Sequence, residues 1–167
     1  MREPEVALRF VRIVPTSIYS PKVDAVMKQI LVAVDEHPHA EQIVESAIEL
    51  AQGISARIIL MYVVEGSPPE NYRDTHGDAL PEHYYEDEFE RSVGPLVEMV
   101  EKAGISCEPL VGSGDPVKGI LEAAKSRSVN YIVMGTRELR GLGRLKAIGS
   151  VSRNVIEKST IPVVAVP

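Results

Sequence analysis

One cysteine, Cys107, stands in the 167 residues, so neither an intramolecular disulfide nor a thiolate metal cluster can brace the chain. Long apolar runs are also lacking. The longest, such as residues 58–64, fall far short of the roughly 18 residues a membrane-spanning helix needs. The opening Met-Arg-Glu-Pro-Glu has neither the basic start nor the apolar core of a secretory signal, so export is not expected and a cytoplasmic location is. Basic charge is in deficit, with 18 Lys and Arg against 24 Asp and Glu for a formal net charge of -6, which disfavours general affinity for nucleic-acid backbone. What is present, 44% hydrophobic and 25% charged residues, suits one compact domain. A chain of this length buries about 70% of its unfolded surface and needs no covalent staple.

The main positive signal is an alternation of short β-branched runs with longer amphipathic stretches. Residues 29–34 (Gln-Ile-Leu-Val-Ala-Val) read as a buried strand. Ala40, Ile43, Val44, Ala47, Ile48 and Ala51 then recur at helical spacing, with Gly53 placed as a C-terminal cap. Residues 56–64 form a second strand, 81–103 a helix closed by Gly104, and 105–111 a third strand. In Gly114-Asp-Pro116, Asp115 can cap a helix and Pro116 can occupy its first turn, which predicts a helix over 117–127. Residues 129–134, 149–158 and 161–166 complete the pattern as strand, helix and strand. Strands separated by helices imply right-handed crossovers, hence a doubly wound α/β domain with a parallel sheet and helices on both faces. Ligands of such sheets bind beyond the carboxyl ends of the strands. The candidates there are Asp35, Glu65, Gly112 and Gly135.

Two segments stand outside the alternation. Residues 1–26 form an N-terminal extension of ambiguous period, leaving 27–167 as the domain. Met27 is a second feasible start; otherwise Phe10, Val11 and Ile13 are expected to pack on the body or on a partner subunit. Residues 65–80, rich in Gly, Pro, Asn and Asp, are expected to form a loop.

The chemistry concentrates in residues 134–152, a glycine-containing loop that follows a strand and leads into a helix. The amide groups at Gly149, Ser150 and Val151 have no intrahelical partner and suit an anion such as phosphate. Ser150 and Ser152 can add hydroxyls. Over residues 137–158 six basic side chains (Arg137, Arg140, Arg144, Lys146, Arg153, Lys158) face two acidic ones, a local balance of +4. The acidic excess lies elsewhere: over residues 65–103 eleven acidic residues face three basic ones. A basic loop on an acidic chain points to an anionic ligand, the alternative being a merely solvated loop. Asp35, directly after a core strand, can accept from ribose hydroxyls or sit near a metal, and its alternative role is a turn or helix cap ahead of Pro38.

Other constellations are weaker. His37 and His39 flank Pro38 without the glycine and second histidine of a nucleotidylyltransferase signature, and Asp74, His76, Asp78 and His83 follow no known ligand pattern. Ser113 lacks an evident histidine partner, and Cys107 falls in a strand as a core residue. No catalytic pair emerges.

Residues 30–35 (Ile-Leu-Val-Ala-Val-Asp), Gly114-Asp-Pro116, Tyr131-Ile-Val-Met-Gly-Thr136, Gly149-Ser-Val-Ser152 and Ile161-Pro-Val-Val-Ala-Val166, as an ordered set, make the chain resemble the universal stress proteins over residues 28–166. The resemblance implies a five-stranded parallel sheet of order 3-2-1-4-5 with Asp35 and Gly135 flanking the switch point. It further implies that Asp35 contacts ribose or adenine, with Ala33, Val34, Val63 and Met134 around the base. Gly135 would admit the phosphates, Gly149, Ser150 and Val151 would donate to them, and Arg137 and Arg140 would neutralise their charge. The ATP-binding branch spaces its loop as Gly, two residues, Gly, nine residues, Gly, then Ser or Thr. Here Glu138 replaces the second Gly, and ten residues separate it from Gly149. Adenosine recognition is therefore better supported than triphosphate recognition. The expected cofactor is an adenine nucleotide, ATP, ADP or AMP, with Mg²⁺ accompanying a triphosphate, and any hydrolysis is slow. A homodimer through residues 161–166 is expected, with a further protein partner unidentified and no nucleic acid or membrane partner. The alternative is a dimeric interaction module of the same fold that binds no nucleotide.

Overall fold

The structure, a computed structural model, describes residues 27–35, 39–64, 81–136 and 148–167, with side chains from residue 90 onward in the helix that starts at Pro81. The N-terminal extension, the loop at 65–80 with Glu65, the residues Glu36, His37 and Pro38, and the glycine loop from Arg137 to Ala147 lie outside the described residues. Five strands, β1 (Lys28–Val34), β2 (Ala56–Val64), β3 (Cys107–Ser113), β4 (Tyr131–Gly135) and β5 (Val163–Val166), alternate with α1 (Ala40–Ile54), α2 (Pro81–Lys102), α3 (Pro116–Ser126) and α4 (Ser150–Lys158). All pairings are parallel and the order is β3-β2-β1-β4-β5, as expected. No helix among the described residues is long and apolar enough to cross a membrane.

Alternate residues of each strand serve opposite faces. Ile30, Val32, Ile58, Leu60 and Val133 join Ile43, Val44 and Ala47 of α1 and Val93, Leu96 and Val100 of α2 in one core. Leu31, Ile59, Met61, Leu110 and Ile132 join Ile120, Ala123 and Ala124 of α3 and Val155 of α4 in the other. Central strands covered on both sides read as continuous apolar runs for that reason. Each such side chain contributes about 1.5–3 kcal/mol on burial.

Boundaries differ from the sequence reading where local hydrogen bonding overrides hydropathy. Helix α1 runs through Gly53, and Ser55, left-handed at φ 53°, ends it by donating its N–H to Ala51 O. Gly104, at φ 77°, closes α2 as anticipated, and Ile105 N–H then donates to Val100 O at 3.3 Å. Ile105 thus belongs to the helix end, and β3 starts two residues later. Gly112 consequently lies inside β3, opposite Val63, and is not a post-strand site residue. Val129 is similarly held by Ala124 O, at 3.1 Å, which delays β4 so that Gly135 is its last residue. Ile161 is tied to the Ser159 hydroxyl at 3.0 Å, so β5 occupies only the last four residues of the segment expected to form it. Asp115 Oδ1 accepts from Lys118 N–H at 3.1 Å, the N-cap the sequence implied.

The amino ends of the strands carry an ion cluster the sequence reading did not anticipate. Glu108, buried in β3, accepts from Arg127 at the end of α3 and lies 3.5 Å from Arg57 of β2, whose other nitrogen donates to Gln29 Oε1 at 2.7 Å. The carboxyl ends are set by a close approach instead. A Cβ placed on Gly135 would stand 2.6 Å from Ile43 Cδ1 and 3.3 Å from its Cγ1. The missing side chain of Gly135 therefore lets α1 lie tightly on the end of β4.

Two outcomes follow from these contacts. Glu108→Ala strands two partly buried guanidinium groups, and urea unfolding should show a loss of about 2–3 kcal/mol; a loss below ~0.5 kcal/mol would show the cluster to be ornamental. Gly135→Ala requires Ile43 Cδ1 to move aside and should cost about 0.5–1.5 kcal/mol, the scale of one displaced rotamer. Combining it with Ile43→Val, which removes Cδ1, should cost less than the two single changes summed, whereas additive losses would contradict the contact.

Candidate functional site

Strand order reverses at β1, which pairs with β2 on one side and β4 on the other. The crossover through α1 packs on one face of the sheet and those through α3 and α4 on the other, so a crevice opens where the chain departs in both directions. A cavity of about 470 Å³ lies there, within the range of small-molecule sites.

Three segments separated in sequence converge on it: Ala33, Val34 and Asp35 at the end of β1, Met134 to Thr136 at the end of β4, and Ile148 to Ser152 at the start of α4. Val63 of β2 joins them. Of the residues singled out from the sequence, Ala33, Val34, Asp35, Val63, Met134, Gly135, Gly149, Ser150 and Val151 all line this one cavity, while Arg137 and Arg140 lie outside the described residues. Asp35 is exposed at the mouth, and it does not cap α1, whose N-cap is His39.

Helix α4 begins at the cavity with Gly149 as N-cap, without a side-chain capping bond and without an acidic residue in its first turn. Its first amides keep their partial positive charge unopposed by a side chain of their own helix. Ser152 is the exception to the expected hydroxyl donors. It is buried, and its Oγ donates to Gly135 O at 2.6 Å, fastening α4 to the end of β4. Thr136 fastens β5 in the same way, with its N–H at 2.7 Å and its Oγ1 at 3.2 Å from Val166 O.

His39, Ile43, Met61, Pro116, Ile120, Thr136, Ile148, Val166 and Pro167 complete the lining and were not predicted as site residues. Pro116 had a signal, since Gly114-Asp-Pro116 stands directly after a strand. Met61 had one too, two residues before Val63 on the same strand face. The lining divides by chemistry. Met61, Val63, Pro116 and Ile120 offer an apolar wall, Asp35 a carboxylate, and the start of α4 a row of donors. Such a site can hold a ligand with a flat apolar part, hydroxyls and an anionic end.

Elsewhere, chemistry is absent among the described residues. No group of three metal-ligating side chains gathers, and the Asp74, His76, Asp78 and His83 cluster falls outside the described side chains. Burial, reinforced by Glu101, pushes the Cys107 thiol up to about 12, so this cysteine stays protonated and unreactive near neutral pH. Ser113 is buried at the end of β3.

Comparison with known proteins bears on this site. The model of the universal stress protein family matches residues 27–167. A universal stress protein of the cyanobacterium Synechocystis is 31% identical over 139 residues, 77% of this chain and 90% of that protein. The universal stress protein of Archaeoglobus fulgidus in complex with dAMP superposes with a TM-score of 0.63 at 22% identity, over 85% of this chain and 99% of that one. Another universal stress protein, in complex with cAMP, gives a TM-score of 0.59 at 21% identity over 84% and 96% of the two chains. The parallel 3-2-1-4-5 sheet, the match along the whole described domain and the curated relative agree, and the chain belongs to the universal stress protein family.

Proposed function

We propose that this universal stress protein binds an adenine nucleotide in the cavity between β1 and β4, and that occupancy governs its stress-related interactions. The observation that carries the reading is the convergence of Asp35, the end of β4 and the uncapped start of α4 on one cavity. Asp35 accepts from ribose, Ala33, Val34, Val63 and Met134 surround the base, and the Gly135 backbone with the amides of Gly149, Ser150 and Val151 receives phosphate. Arg137 and Arg140 supply positive charge from the loop. Support comes also from the family members whose structures contain dAMP and cAMP, both monophosphates. Asp35 is the single side-chain carboxylate among the described lining residues, so Mg²⁺ would depend mainly on the oxygens of a triphosphate for its ligands. The site binds more than it transforms, and hydrolysis of bound ATP is at most slow. The second copy of a homodimer is assigned to the edge at β5, which among the described residues pairs only with β4 and exposes Val164 to 37%.

Isothermal titration with ATP, ADP and AMP should show saturable binding of at least one, and Asp35→Ala should weaken it about tenfold, the scale of a hydrogen bond to a charged group. Absence of heat with all three would overturn the reading in favour of a nucleotide-free interaction module, the function to which Glu138 and the lengthened loop would then be assigned. Sedimentation equilibrium should return a dimer that Val164→Asp converts to a folded monomer. A monomeric parent protein would contradict the β5 assignment.

A further inference from the structure

The cavity is not uniform along its length. Toward α3 its wall is apolar, with Met61, Val63, Pro116 and Ile120, whereas at Gly135 two helices begin on opposite faces of the sheet. The first turn of α4 is fixed to Gly135 by the 2.6 Å hydrogen bond from Ser152 Oγ to its carbonyl. The first turn of α1 is fixed to the same residue by Ile43, whose Cδ1 occupies the space of the absent side chain.

His39 stands one helical turn ahead of Ile43, and its carbonyl accepts from Ile43 N–H at 3.1 Å. It is half-buried and lines the cavity. Among the described residues that line the cavity, His39 is the one side chain able to carry positive charge. Histidine presents ring N–H donors suited to phosphate oxygens. Through Ile43 and Ser152 the starts of α1 and α4 meet at Gly135, so His39 and the amides of Gly149 to Val151 belong to the lining of one cavity.

We propose that His39 is a specificity residue of the cavity, contacting the phosphate nearest the ribose and making the protein prefer a nucleotide over the corresponding nucleoside. The assignment rests on the adenine-nucleotide reading and adds to it a discriminating side chain on α1, on the sheet face opposite the helix whose amides receive the phosphate. Its ligand class is narrower as well, since a nucleoside lacks the group His39 addresses.

The test is titration of the intact protein with AMP and with adenosine, in parent, His39→Ala, His39→Asn and His39→Arg forms, with thermal melts of each. His39→Ala should weaken AMP roughly tenfold, the scale of one charge-assisted hydrogen bond, and leave adenosine unchanged. His39→Asn, which keeps a strong N-cap residue on α1, should show the same selective loss, and His39→Arg should recover most of the AMP affinity. Equal weakening of both ligands, or no change in either, would overturn the role of His39 while the nucleotide reading stands. A parent protein that binds neither ligand would overturn both.

Discussion

The absence of a side chain at Gly135 is the constraint on which the site depends. Ile43 fills the space where a Cβ would be, Ser152 hydrogen-bonds the carbonyl, and the next residue, Thr136, binds the end of β5 through both its amide and its hydroxyl. One short stretch thereby places α1, α4 and the last strand at the rim of a single cavity. A larger residue at 135 must first displace the end of the Ile43 side chain, one helical turn from His39. The family resemblance implies that this glycine admits phosphates; the structure shows that it also makes room for Ile43 of α1, and that it lines the cavity.

The two ends of the sheet use charge differently. At the amino ends, Glu108 is enclosed by Arg57 and Arg127, and Gln29 accepts from a second nitrogen of Arg57; these groups link three strands and a helix and face one another. At the carboxyl ends, Asp35 is exposed and the first turn of α4 carries no acidic side chain. Ion pairing stabilises one end, while helix ends and an open cavity suit the other to ligands. A doubly wound sheet favours that division, because its crossovers diverge only beyond the carboxyl ends of the strands.

Much of this was legible in the residues. The alternation of β-branched runs with helical spacing predicts all five strands and the described helices, and the ordered motifs predict the family and the strand order. Nine of the eleven site residues drawn from the glycine loop and the family resemblance line one cavity, because the ends of β1, β2 and β4 and the start of α4 meet there. What was not legible depends on contacts between distant segments. Nothing in the local pattern says that Ile43 lies over Gly135, nor that Ile105 and Val129 are held by helix carbonyls and leave their strands. Glu108 could have been noticed as a charge in an apolar strand next to a strand bearing Arg57. His39 was set aside with His37 as a pair of unsuitable spacing, although its position as the first turn of α1 places it at the cavity independently of any pairing.

The central claim is that the cavity beside Gly135 holds an adenine nucleotide. Native mass spectrometry of the intact protein, gently purified and then supplied with AMP, tests it most directly. The account predicts a species heavier by one AMP per chain and a marked loss of that species in Asp35→Ala. A spectrum showing only the unliganded parent protein, with AMP, ADP and ATP alike, would contradict it.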